Sequence, residues 1–397
     1  MSFMKEYIDR RLSVKDLEKE LTLLMQRYNK LRNTYLFIYS AAIKKSIPQV
    51  ALEQDDFYII YDMLSKLPDT KKKIDFYIET PGGSGEAAEE IVRFLRKKFN
   101  HVSFVISGES KSAGTLIVLS GDEILMTDSA SLGPIDAQVR IGRSVVSAHN
   151  YMQWIDEKRS EAAKTGALNP FDATMIAQIS PGELIGVKHS LDFAERLVKE
   201  WLPKYKFKMW TVTKSRKIEV TDQMRQERAD GIASKLTDHS EWLSHGKSLK
   251  IEDLNKIGLE IIRVDATPDI SDTVYRIQTV LNLIFNNSTS FKIFATDKNR
   301  IFKQAVSART SMDIPNSKKP GKPPSVATFE IKCDQCSETH KIYAKLVNDS
   351  KIDLDFQKKG FIPFPKDAKL KCRCGFEVDL MGIKNQIELD LGRKIII

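Results

Sequence analysis

The chain has 397 residues, 42% hydrophobic and 29% charged, with a formal net charge of +9. That composition is that of an ordinary soluble globular protein, and the length allows two or three domains. The best apolar runs, such as Thr115 to Ser120, fall far short of the roughly 20 residues of a bilayer span, and four cysteines are too few for a disulfide scaffold of this size.

Residues 14 to about 34 are expected to be a helix. Leu17, Leu21, Leu24 and Met25 share one face, Ser13 stands at the N-cap, and Asp16 follows three residues on. From residue 35 strands and helices alternate. Strands are expected at Tyr35–Tyr39, Ile74–Ile78, Val102–Ile106 and Glu123–Met126, and helices at Asp55–Leu67, Glu86–Phe99 and Ser112–Ser120. Strands separated by helices of this length imply parallel βαβ units and an α/β fold. From about 149 to 213 the pattern is helical, interrupted at Pro170 and Pro181. Helices are then expected over 221–237, 251–257 and 272–285, with a strand from Leu259 to Val264.

Four proline residues and several lysines between Ser307 and Ser325 leave little to bury, which reads as a linker. The expected organisation is an N-terminal helix or arm (1–34), an α/β domain with a helical extension (35–300), the linker (301–325) and a cysteine-bearing module (326–397). The N-terminus has charges where a signal peptide has its apolar segment, so the expected location is the cytoplasm.

Two pieces carry chemistry. Thr80-Pro81-Gly82-Gly83 follows a strand, and a diglycine turn offers bare backbone N–H groups and room for a substrate to approach. Ser112-Ala113-Gly114-Thr115 opens a helix, where free N–H groups cluster around a hydroxyl. Ser112 is the candidate nucleophile, Gly83 and Ala113 the oxyanion donors, and Gly82 and Gly83 the substrate-binding turn. Either piece alone is ordinary, since a serine at a helix start is usually an N-cap. The order strand, Pro-Gly-Gly, helix, strand, Ser-Ala-Gly-Thr, helix, strand, Gly-Pro is far more specific.

Residues 74–139 resemble the Clp-fold serine peptidases, the superfamily of the Clp proteolytic subunit and signal peptide peptidase A. The resemblance rests on Ile78–Gly83, Ser112–Thr115 and Ser131-Leu132-Gly133-Pro134-Ile135-Asp136-Ala137-Gln138. Within that superfamily the chain is most similar to the serine dehydrogenase proteinase group, through Glu200-Trp201-Leu202 and Trp242-Leu243-Ser244-His245-Gly246. The resemblance covers roughly residues 30–290. It implies a Clp/crotonase-like core of stacked ββα units and peptide-bond hydrolysis through an acyl-enzyme. It also implies a polypeptide substrate and a homo-oligomer. By resemblance Asp136 orients a histidine supplied later in the chain. Alanine at 137 and lysine at 247 stand where the group usually has proline and arginine.

The base stays open among several groups. An imidazole suits neutral pH, and His245, after Asp136 in chain order, leads. His189 is the second imidazole. Lys111, Lys164 and Lys188 would serve a Ser–Lys mechanism like that of signal peptide peptidase A. Two other classes also stay open: an inactive Clp-fold scaffold, and a crotonase-like enzyme acting on a coenzyme A thioester.

Cys333, Cys336, Cys372 and Cys374 are the only cysteines. Their paired spacing points to one structural zinc in a small ribbon-like domain, with no open position for catalysis. No organic cofactor is expected. No phosphate-binding Gly-x-x-x-x-Gly-Lys-[Ser/Thr] loop is present, so any ATP-driven unfolding would come from a separate ATPase or adaptor. The zinc module would recruit a substrate or partner. Nucleic acid is the weaker expectation, because few aromatics interleave with the basic residues.

Overall fold

The computed structural model describes residues 2–68, 72–135, 138–141, 144–213, 215–237, 242, 246–305, 325–333, 336, 338–381, 383–384, 387–388 and 393–396. The chain divides into two compact units, Met1–Ala305 and Val306–Ile397.

The first unit opens with α1 (Phe3–Asp9) and α2 (Val14–Arg32), then β1 (Tyr35–Ala41), α3 (Gln54–Ser65), β2 (Lys73–Glu79) and α4 (Gly85–Lys98). Next come β3 (His101–Ile106), β4 (Glu109–Ser110), α5 (Ala113–Leu119), β5 (Glu123–Met126) and β6 (Ser131–Leu132). A hairpin of β7 (Gln138–Ile141) and β8 (Ser144–Ser147) leads into α6 (Ala148–Thr165), α7 (Pro170–Ile176) and α8 (Pro181–Trp201). The unit closes with α9 (Asp222–Thr237), α10 (Ile251–Lys256), β9 (Ile262–Arg263), α11 (Pro268–Asn287), β10 (Ser290–Ala295) and β11 (Arg300–Gln304).

A seven-stranded sheet runs in the order β11-β10-β1-β2-β3-β5-β9. The five strands from β1 to β9 are parallel, and β10 and β11 extend the β1 edge antiparallel. The parallel strands are apolar on both faces because both faces are covered. Phe37 and Tyr39 of β1 enter one core with Phe76, Phe104 and residues of α4, α5 and α8. Leu36 and Ile38 enter the other, with Tyr77, Val105 and residues of α2 and α11. This is the period of two expected of a strand buried on both sides.

Strands β4 and β6 pair parallel in a small second layer. The run β3–β4–α5 is thus a ββα unit, and β5–β6 begins the next. Ser13 caps α2 by accepting from the Asp16 N–H. Pro170 and Pro181 begin α7 and α8 at the first helical turn, where the missing N–H costs nothing. The helical pattern ends at 206 rather than 213, after a π-helical turn at Leu202–Lys206. The expected strand 259–264 reduces to Ile262–Arg263. Because β11 reaches Gln304, the sheet continues past residue 300, where a linker was expected to begin.

In the second unit β12 (Val326–Lys332) and β13 (Thr339–Lys345) form an antiparallel pair, and after α12 (Ser350–Lys358) strand β14 (Ile362–Pro363) joins β13 parallel. Strands β15 (Lys369–Lys371) and β16 (Glu377–Asp379) form a separate hairpin. Phe329, Ile342, Ala344, Phe364, Leu370 and Leu380 make its core.

Candidate active site

Strand β2 delivers the diglycine turn to one end of the sheet. Gly82 has φ 95° and Gly83 φ 149°, both in the region that favours glycine. A Cβ on Gly82 would lie 2.7 Å from Ser112 Cβ, so the turn packs directly against the serine. Gly83 forms a parallel bridge with Leu52. The Leu52 N–H donates to Gly82 O at 2.7 Å and the Ser84 N–H to Leu52 O at 2.9 Å. Those bonds use the neighbours' groups, so Gly83's own N–H faces away from Leu52. Among the described residues that N–H has no acceptor.

Ser112 sits where β4 turns into α5. Its φ of 48° and ψ of −117° are unusual for a residue with a side chain. It occupies the N-cap position, yet its side chain makes no capping bond, so the ordinary N-cap role is not the one it plays here. The next residue with a bonded N–H is Gly114, which donates to Lys111 O at 2.8 Å; the Ala113 N–H has no acceptor among the described residues. Gly114 is required for this approach, since a Cβ there would stand 2.5 Å from both Ser110 Oγ and Thr80 Cγ2.

Ser112 is half-buried and lines a cavity of about 690 Å³ with Pro81, Gly82, Gly83 and Ala113. Leu116, Ile135, Phe193 and Ala194 give the cavity apolar walls, and Gln138 and His189 add polar ones. The fold thus brings together the serine and both candidate backbone donors from segments thirty residues apart. It also brings His189 of α8 to the same cavity.

Asp136 and His245 lie outside the described residues. The chain beside each is described. Ile135 lines the cavity, and its N–H donates to Leu236 O at 3.0 Å. Leu249 exchanges backbone bonds with Leu132 at 2.9 and 3.1 Å. The lysine candidates fare differently. Lys164 lines a separate surface hollow of about 910 Å³ with His149, and Lys188 is exposed outside the cavity lining. Lys111 is buried and its Nζ donates to four oxygens, none of them on Ser112. Burial lowers its pKa from the ordinary lysine value. His101 stands 3.9 Å from Asp122 and from Glu123, and the Glu123 carboxylate beside its ring is the main cause of its raised pKa.

Just upstream of the turn, Glu79 carries a pKa pushed up to about 7, chiefly by burial. It accepts bonds from Tyr77 Oη and Ser40 Oγ at 3.3 and 3.4 Å. Nothing in the sequence reading singled it out, because a charged residue ending a strand is ordinarily solvated.

In the second unit, Cys333, Cys336, Cys372 and Cys374 offer sulfur atoms that all lie within 4.8 Å of one another. Tetrahedral thiolates about 2.3 Å from a zinc ion would be about 3.8 Å apart. The Cys333–Cys374 and Cys336–Cys372 sulfur separations are 3.6 and 3.5 Å, far longer than a disulfide. The cluster therefore fits a metal ion. His340, which could replace one thiol although four cysteines suffice, has its Nε2 3.3 Å from Cys372 Sγ.

Comparison with known proteins adds to this geometry. Two uncharacterized proteins of Methanocaldococcus jannaschii are 25% and 26% identical over 190 residues, covering 48% and 47% of this chain and 54% and 51% of their own. The chain thus spans about half the length of the curated relatives it matches. Two mutant structures of the 1510-N membrane-bound stomatin-specific protease, one in complex with a substrate peptide, are each 14% identical. The first covers 56% of this chain and 79% of its own with a TM-score of 0.32; the second covers 68% and 87% with a TM-score of 0.33. Overlaps at that level say nothing about mechanism. No helix among the described residues is long and apolar enough to cross a membrane. Residues 51–177 match the family described as ClpP-like SDH-type serine proteinase. The stretch that holds both the diglycine turn and Ser112 therefore carries the ClpP-like serine proteinase signature that its motifs resemble.

Proposed function

We propose that this protein hydrolyses peptide bonds, with Ser112 as nucleophile and the N–H groups of Gly83 and Ala113 as the oxyanion donors. The observation that carries the reading is the Ser112 turn itself. A serine held at positive φ, its side chain making no capping bond, packs against a glycine turn, and both line one cavity. The hydroxyl would attack the scissile carbonyl as a base takes its proton. The oxyanion formed would lie between two N–H groups that need no rearrangement to receive it. The base would then return the proton to the leaving amine, and water would release the acyl group by the same steps in reverse.

For the base we keep His245, oriented by Asp136. His189 is the second reading, favoured by its place in the cavity lining. We further propose a polypeptide substrate, a homo-oligomeric assembly served by a separate ATPase or adaptor, and a structural zinc on the four cysteines. The zinc would supply folding energy to the second unit rather than catalysis.

Two measurements test the peptidase reading. Ser112→Ala is expected to abolish both peptide hydrolysis and covalent labelling by a fluorophosphonate, with an unchanged circular dichroism spectrum. Labelling that persists in this variant rules Ser112 out. His245→Ala and His189→Ala then separate the bases, since removing the true base lowers the rate about 10²–10⁴-fold and the other substitution leaves it near the parent value.

A further inference from the structure

Lys111, the residue before the candidate nucleophile, is only 7% exposed. Its Nζ donates to Ser248 Oγ at 2.9 Å, Lys247 O at 3.1 Å, and Leu132 O and Ser131 Oγ at 3.3 Å. An ammonium has three protons, and the four oxygens gathered around this one give each of them a partner. Two of those oxygens belong to the strand behind Ser112. The other two come from a segment 136 and 137 residues further along the chain.

The main chain of Lys111 is held as well. Its N–H donates to Thr80 O at 3.0 Å, and its carbonyl accepts from the Gly114 N–H at 2.8 Å. One residue is therefore bound to the diglycine-turn segment, the start of α5, the β6 strand and the 247–248 segment. Gly133 is shaped around it, since a Cβ there would lie 2.8 Å from Lys111 Cδ and 3.2 Å from its Cα. Nearby, Lys250 Nζ donates to Ser129 O and Ala130 O at 2.7 and 2.9 Å, so the same two segments are laced together twice.

Ser112 needs such a neighbour. A non-glycine residue at φ 48°, ψ −117° is strained, and strain of about 1–3 kcal/mol persists only where the surroundings over-determine the backbone. Among the described residues, the Lys111 ammonium is what joins the residue next to Ser112 directly to Lys247 and Ser248; the Leu132–Leu249 backbone pair and the Lys250 bonds reach that segment from β6 and the residues before it.

We propose that Lys111 is a positioning residue: its buried ammonium locks the strained Ser112 turn and ties it to the 247–248 segment, which follows His245-Gly246 in sequence. This rests on the reading of Ser112 as nucleophile. Lys111 takes no proton from Ser112, since its ammonium is committed elsewhere.

The test is the time course of Ser112 modification by a fluorophosphonate, followed by intact mass on the full chain. The amplitude counts folded molecules, and the rate constant reports how well the hydroxyl is presented, so a loss of fold alone lowers the amplitude and leaves the rate. Lys111→Met is expected to lower the rate constant at least about tenfold, in keeping with the cost of small misplacements at a reacting centre. Ser248→Ala, which removes one acceptor and leaves the ammonium, is expected to lower it about threefold and decides the matter if Lys111→Met does not fold. Parent-like rate constants in the folded variants overturn the proposal. A parent protein that the probe does not modify at Ser112 overturns the peptidase reading itself, and this outcome is seen before any Lys111 variant is made.

Discussion

At the scale of single residues, the site is built from backbone conformations that side chains ordinarily avoid. Gly83 combines φ 149° with a Cβ position that would fall 2.3 Å from Leu52 O. Gly83→Ala is therefore expected to displace the turn, lowering both stability and Ser112 labelling, with a stability loss of about 2–4 kcal/mol in urea denaturation. Glu79 gives a pH signature. Its pKa rises from the ordinary 4.5 to about 7 in the folded protein. Between those values the folded state holds a proton that the unfolded state releases, so stability falls as pH rises through this window. Glu79→Gln removes that dependence. Relative to the parent, the variant is expected to gain about 1–3 kcal/mol between pH 4.5 and pH 8, and a difference that stays flat across those pH values would contradict this.

At the scale of elements, the strand edge behind the diglycine turn is held by a buried charge cluster. Lys292 of β10 is fully buried and donates to Asp56 Oδ2 and Ala51 O, both at 2.6 Å. Asp56 also accepts from Tyr39 Oη at 3.0 Å and from Lys303 Nζ at 3.2 Å. Ala51 precedes Leu52, the bridge partner of Gly83, so the cluster anchors the segment that pairs with the diglycine turn. Breaking a buried pair leaves a charge uncompensated at a cost of about 3–5 kcal/mol. Lys292→Met is expected near the low end, because Lys303 and Tyr39 remain with Asp56. Adding Asp56→Asn should recover part of the loss, and a double variant no better than the single one would show that the unpaired carboxylate is not the cause.

At the scale of the molecule, each unit has its own apolar core. The second is small, and small cores ordinarily need a staple. Chelation under reducing conditions is expected to unfold Val306–Ile397 while the melting transition of Met1–Ala305 stays in place, with one zinc released per chain. Metal analysis of freshly purified, reduced protein checks the stoichiometry, and chelation that leaves the second unit's signals unchanged would remove zinc as its staple.

The strands and helices from 35 to 126 were legible because both periodicities are strong there, and Ser112, Gly83 and the cysteine pairs were legible as types at informative spacings. Strands β10 and β11 were not, since an antiparallel edge after a long helix has no periodicity that sets it apart from a loop. His189 ranked behind His245 in the sequence, because its place in the lining of the Ser112 cavity depends on where α8 packs. The sequence by itself determined the local chemistry: which residues could attack, donate or ligate, and where strands and helices alternate. Tertiary structure alone decided that the Ser112 side chain makes no capping bond, that the Gly83 N–H faces away from Leu52, and that Lys111 joins segments 136 residues apart. Those facts depend on long-range pairing and burial, and no window of neighbouring residues contains them.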